Sequence, residues 1–90
     1  MYYVYVLQSL KDGRTYVGYS DNVSKRLKEH NAGRSKATKH RRPFRLLFTE
    51  KIETSAEAKK REIYWKSGAG RRKLKQYFSR NVSKLFSSKE

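Results

Sequence analysis

Tyr2-Tyr3-Val4-Tyr5-Val6-Leu7-Gln8-Ser9-Leu10, then Lys11-Asp12-Gly13, then Arg14-Thr15-Tyr16-Val17-Gly18-Tyr19-Ser20: this opening stretch decides the fold. Residues 2–10 alternate and are rich in tyrosine and valine, which suits a pleated, half-buried strand. Asp12-Gly13 is a strong two-residue hairpin signal, because glycine accepts positive φ without steric cost. Residues 14–20 then return as a second strand. With Asp12-Gly13 as the whole loop, Leu7 opposes Gly18 and Tyr5 opposes Ser20. Strand side chains alternate, so Tyr3, Tyr5, Leu7, Tyr16 and Gly18 share one face. Gly18 leaves room there for a ligand or another backbone. This register keeps Tyr5 and Tyr16 some distance apart along the sheet, to be joined by a bulge or a bridging ligand. Taken singly, each tyrosine reads first as a core-packing strand residue.

Outward from the hairpin, Asp21 caps a predicted helix over residues 22–32, and Gly33 ends it. Residues 33–43 form a basic loop closed by Pro43, and residues 44–52 (Phe44, Leu46, Leu47, Phe48, Ile52) read as a third strand. Thr54-Ser55-Ala56-Glu57 fits a capping box, which starts a second helix over 55–67. Gly68-Ala69-Gly70 is expected to break it before a shorter helix over 71–79, and Val82, Leu85 and Phe86 add a helical spacing in the tail. The order β-β-α-β-α-α, with helices packed on strands, gives a small α+β domain. We expect residues 1–80 as the domain and 81–90 as a basic C-terminal tail.

Ninety residues support one modest core. Cysteine is absent, which excludes disulfides and zinc–thiolate sites. The run Tyr2–Leu10 is too short and polar to span a membrane and lacks the features of a secretory signal. The expectation is therefore a soluble cytoplasmic protein with no membrane partner. The formal net charge is +15, a field that attracts polyanions, nucleic acid first among them. The charge is unevenly placed. No acid lies between Glu29 and Glu50, where Arg34, Lys36, Lys39, Arg41, Arg42 and Arg45 sit, nor between Glu62 and Glu90. The second stretch holds Lys66, Arg71, Arg72, Lys73, Lys75, Arg80, Lys84 and Lys89.

On the first helix, Val23, Leu27 and His30 make an apolar-side stripe, and Arg26 sits at its edge. An arginine there forks onto a phosphate with two hydrogen bonds, or snorkels over the core. His30 alone reads as a satisfied structural histidine, and His40 as a solvated or phosphate-facing one. On the second helix Ala58, Glu62 and Trp65 share a stripe. Glu62 either pairs with Arg26 or another base, or holds a hard divalent cation. Magnesium often uses just one or two carboxylates, with waters and substrate phosphate completing its shell.

These residues together carry a family resemblance. Tyr3-Val4-Tyr5, Tyr16-Val17-Gly18, Arg26, His30 and Glu62 within Arg61-Glu62-Ile63-Tyr64-Trp65-Lys66 resemble the GIY-YIG nuclease domain, from Tyr2 to about Phe78. His40-Arg41-Arg42-Pro43 and Lys66-Ser67-Gly68-Ala69-Gly70-Arg71 look like its small stand-alone bacterial members, often described as excinuclease-like. The resemblance implies a three-stranded antiparallel sheet flanked by helices. It also implies an endonuclease that hydrolyses DNA phosphodiesters with one Mg2+ or Mn2+ ion, in DNA repair, recombination or foreign-DNA processing. By motif position Tyr16 would be general base, Tyr5 would orient water or phosphate, Arg26 would stabilise phosphate charge, and Glu62 would bind the metal. His30 joins this catalytic set. A free tyrosine titrates at about 10, too high for a base at neutral pH, and a neighbouring cation lowers that value. Tyr3 stands where the first motif has glycine, Tyr19 where several family enzymes have lysine, and the family's later asparagine has no clear counterpart; Asn81 lies far along.

Arg34, Lys36, Lys39, His40, Arg41, Arg42, Lys66, Arg71 and Arg72 are the expected nucleic-acid contacts, made mainly to phosphates. DNA is the expected partner, with RNA the other candidate and a protein partner supplying specificity. A non-catalytic nucleic-acid-binding module is the alternative to the nuclease.

Overall fold

The computed structural model describes residues 1–76. Two strands, β1 (Tyr2–Ser9) and β2 (Thr15–Ser20), form the hairpin. Helix α1 (Val23–Asn31), strand β3 (Phe44–Ile52) and helix α2 (Ser55–Lys66) follow. A third helix begins at residue 68 and continues through 76. The sheet is three-stranded and wholly antiparallel, in the order β2-β1-β3. The fold is α+β, as the sequence predicts. Residues 77–79 of the expected last helix, Asn81, and the tail with Val82, Leu85 and Phe86 lie outside the described residues.

β1 is the middle strand, and its two faces build two cores. Val4 and Val6 pack with Val17, Ala58, Trp65 and Leu74, under α2 and the third helix. Tyr5 and Leu7 pack with Phe44, against Tyr16 of β2 and Val23 and Leu27 of α1. The sheet is thus covered on both faces. A register shift between Val6 and Leu7 inserts an extra residue in β3. That bulge lets Phe48 face one core and Phe44 the other.

The hairpin register differs from the predicted one by two residues. Tyr5 pairs with Gly18 and Leu7 with Tyr16. The loop is Leu10 to Gly13, closed by Ser9 N–H donating to Arg14 O at 2.9 Å and Gly13 N–H donating to Ser9 O at 2.9 Å. The cause is the buried Ser9 hydroxyl. It accepts from the backbone N–H groups of Lys11 and Asp12, both at 3.1 Å, and donates to Arg41 O. These bonds organise a wider turn than Asp12-Gly13 alone would make, with Gly13 at φ 74°. A two-residue shift preserves side-chain parity, so the tyrosine face survives.

Two helix starts also move. Asn22, not Asp21, caps α1; its side chain accepts from Lys25 N–H at 3.1 Å. The end of α1 falls at Gly33 as predicted. Gly33 N–H donates to His30 O and Arg34 N–H to Glu29 O, the paired bonds of a Schellman motif with Gly33 at φ 80°. Thr54 caps α2 as predicted, accepting from Glu57 N–H. The break after α2 is confined to Ser67, whose carbonyl accepts from Arg71 N–H and whose hydroxyl accepts from Gly70 N–H. Ser67 therefore starts the third helix three residues before the predicted 71. Gly70 is required inside it because a Cβ there would overlap the backbone of Trp65.

Candidate active site

The site forms where the tyrosine face of the hairpin meets α1. Leu7 pairs with Tyr16 and Tyr5 with Gly18, so Tyr5 and Tyr16 are diagonal neighbours on one face. No bulge in the hairpin is needed. The Tyr5 ring lies over Gly18, where a Cβ would come within 2.5 Å of the Tyr5 hydroxyl. The room that Gly18 leaves is filled by Tyr5 itself.

Tyr5 is only 1% exposed and His30 is fully buried. The Tyr5 hydroxyl lies 3.1 Å from His30 Nε2, and His30 Nδ1 lies 2.8 Å from the hydroxyl of Thr38. Thr38, inside the basic loop, is itself fully buried. Burial lowers the pKa of His30, and the Arg26 cation adds to that effect, so the ring is neutral at physiological pH. One ring nitrogen then donates and the other accepts, which makes a directional chain Tyr5–His30–Thr38. Tyr16 stacks edge-on against the same imidazole, with ring centres 5.0 Å apart.

Arg26 stands at the rim beside Tyr5. Burial raises the Tyr5 pKa, and Arg26 works against that rise, while Tyr16 and Glu62 add smaller upward contributions. Arg26 Nη1 donates to Glu29 Oε1 at 2.8 Å, and the Arg26 side chain is 38% exposed. A phosphate can compete for a guanidinium held that lightly.

α2 brings Glu62 to the β2 edge. Lys66 Nζ lies 5.9 Å from the centre of the Tyr16 ring and 3.7 Å from Glu62 Oε1. The partner of Glu62 is thus Lys66 rather than Arg26. At 3.7 Å that contact is too long for a hydrogen bond, so the carboxylate oxygens stay available. Among the described residues no three His, Cys, Asp or Glu side chains cluster. The donor set fits a hard divalent ion of the one-carboxylate kind, completed by water and substrate phosphate.

The expected phosphate contacts divide. Arg34, Lys36, Lys39, His40, Arg42, Lys66, Arg71 and Arg72 are exposed. Arg41 turns inward, with Nε donating to Asp12 Oδ2 at 2.9 Å and its guanidinium 5.7 Å from the Phe44 ring centre. It fastens the basic loop to the hairpin tip, helped by Lys11 Nζ donating to His40 O. Sequence reasoning missed Thr38 and Glu29. Glu29 was findable as an acid at i+3 from Arg26; nothing local marks Thr38, whose role arises only from the loop's path.

The family profile described as the GIY-YIG catalytic domain matches residues 1–77. The chain belongs to this family. Small GIY-YIG relatives resemble it over most of their length. The UPF0213 protein of Staphylococcus saprophyticus is 41% identical over 75 residues, covering 82% of this chain and 90% of that one. The UPF0213 protein of Bacillus licheniformis is 46% identical over 66 residues, covering 72% and 67%. The solution NMR structure of the UPF0213 protein BH0048 from Bacillus halodurans is 41% identical, with a TM-score of 0.50 over 88% of this chain and 84% of that one. GIY-YIG membership gives a nuclease-type fold. Among the described residues no helix is long and apolar enough to cross a membrane.

Proposed function

We propose that this chain is a divalent-metal-dependent endonuclease acting on DNA phosphodiester bonds. The observation that carries the reading is a linked set from separate elements: Tyr5 and Tyr16 both meet the His30 ring on α1, Arg26 stands beside Tyr5, and Lys66 of α2 lies over Tyr16 next to Glu62. Their chemistry is complementary. The Tyr16 hydroxyl makes no hydrogen bond among the described residues, and as phenolate it would take the proton from the attacking water, becoming the neutral phenol. Arg26 leaves Glu29 for the scissile phosphate and stabilises its developing charge. Tyr5 and His30, both buried, act by holding Arg26 and Tyr16 in place rather than by touching substrate. Glu62 would hold the single Mg2+ or Mn2+, which when bound lowers the pKa of water and neutralises phosphate charge. Lys66, above the Tyr16 ring, puts a cation where negative charge develops.

The exposed cations of loop 33–43 and of the third helix supply sequence-independent attraction to DNA. Choice of substrate then rests on nucleic-acid shape or on a partner protein. Roles in repair, recombination or foreign-DNA processing all use such a cut. The test is a cleavage panel of single-stranded, duplex, branched and flap DNA and RNA, with Mg2+, Mn2+ or chelator. Metal-dependent cutting of DNA is expected. Salt-sensitive binding with no cutting under any metal would instead make the chain a binding module.

A further inference from the structure

A second concavity lies outside the tyrosine site. It is a groove of about 700 Å³ between the hairpin tip and the third helix. Arg14, Thr15 and Arg41 line one side, and Arg71, Leu74 and Lys75 the other. Asp12 is the one acid in its wall, so four cations face one carboxylate. That carboxylate is already engaged, accepting from Arg14 N–H and from Arg41 at 2.9 Å each. These bonds, the Arg14 N–H first, hold Asp12 down to about 2, so it stays ionised and tied to Arg41. Arg14, Arg71 and Lys75 have no ion-pair partner among the described residues.

We propose that this groove is a second phosphate-binding subsite, which grips the sugar–phosphate backbone of the nucleic acid flanking the bond to be cut. Three features support that occupant. The lining is cationic and concave, which suits a polyanion. It contains no aromatic ring for stacking a base; its apolar member is Leu74, whose side chain belongs to the core. Contact is therefore with backbone and carries no base preference. Finally, the groove begins one residue from the tyrosine site. Thr15 precedes Tyr16 on β2, an edge strand, and neighbouring strand residues point to opposite faces. A backbone leaving Tyr16 rounds that edge to reach Thr15. Lys66 stands over Tyr16, and the helix that starts just after it delivers Arg71 and Lys75, four apart on one face, to the groove wall.

This inference rests on the proposed reading only in taking nucleic acid as the ligand, and its test needs no turnover. A labelled DNA duplex is titrated in chelator across about 50 to 200 mM salt. Wild type is compared with the triple variant Arg14→Gln, Arg71→Gln, Lys75→Gln. A second triple, Lys25→Gln, Lys51→Gln, Lys59→Gln, removes the same charge from exposed positions elsewhere. Every phosphate no longer gripped should flatten the plot of log affinity against log salt by about 0.9, so the groove triple should flatten it by roughly 2 to 3. The weakening should be the same for unrelated sequences. An equal weakening in both triples would mean a diffuse field and overturn the groove, as would a wild-type slope in the groove triple. Circular dichroism confirms that both variants are folded. Failure of the nuclease reading would show separately, as absence of cutting with Mg2+ or Mn2+ while the groove's salt slope persists.

Discussion

The Tyr5 hydroxyl and His30 Nε2 lie 3.1 Å apart with both side chains buried, one on the central strand and the other on α1. This bond joins sheet to helix beside Arg26 and under the edge-on Tyr16 ring. Removing the hydroxyl by Tyr5→Phe leaves a buried imidazole nitrogen unpaired, at a cost of about 1 to 3 kcal/mol. Thr38→Val does the same at Nδ1 and should cost a similar amount. Urea denaturation of each variant checks both figures.

The same imidazole makes stability depend on pH. Its folded-state pKa lies below the ordinary 6.5, because burial and Arg26 disfavour the cation. Above 6.5 neither state binds the proton. Between 6.5 and the lower folded value the unfolded chain binds the proton and the folded chain does not, so stability is lost as pH falls through that window. One such proton gives a slope of up to about 1.4 kcal/mol per pH unit. Chemical denaturation at about pH 7.5 and about pH 5.5 should show this decline, and His40→Gln, at an exposed histidine, should leave it in place.

Gly18 is occupied by Tyr5, with 2.5 Å between a Cβ there and the Tyr5 hydroxyl. Gly18→Ala must push the ring off His30 and away from Arg26. A loss of about 1 to 3 kcal/mol is expected from overpacking, together with reduced cleavage. Thermal melts and rate measurements on the same sample would register both.

Arg26 separates stability from chemistry. Its ion pair with Glu29 is at the surface, so Arg26→Ala should change stability by no more than about 1 kcal/mol. Its removal should lower kcat/KM by about 100- to 1,000-fold, the scale for a deleted charge-stabilising donor. Arg26→Lys should rescue little, because an ammonium does not fork onto two oxygens.

Much of this arrangement was legible in the chain. The alternation of residues 2–10, the capping box at Thr54 and the stripe Val23, Leu27, His30 placed the sheet and both long helices. Local signals failed where a distant group decided the geometry. The Asp12-Gly13 turn widened because Ser9 bonds the loop backbone and reaches Arg41, 32 residues away. That change brought Tyr5 and Tyr16 closer than the two-residue turn allowed. Thr38 was invisible because its partner His30 meets it only when the basic loop folds back. Ser67 was overlooked beside two glycines, although serine is a strong helix cap.

The most direct measurement follows one labelled branched DNA through both cleavage and binding, with wild type and Glu62→Ala, in Mg2+ and in Mn2+. Wild type should cut only with metal, Glu62→Ala should not cut, and the two should bind DNA with nearly equal affinity. Cutting by Glu62→Ala at the wild-type rate would contradict Glu62 as the metal ligand and, with it, the proposed nuclease site.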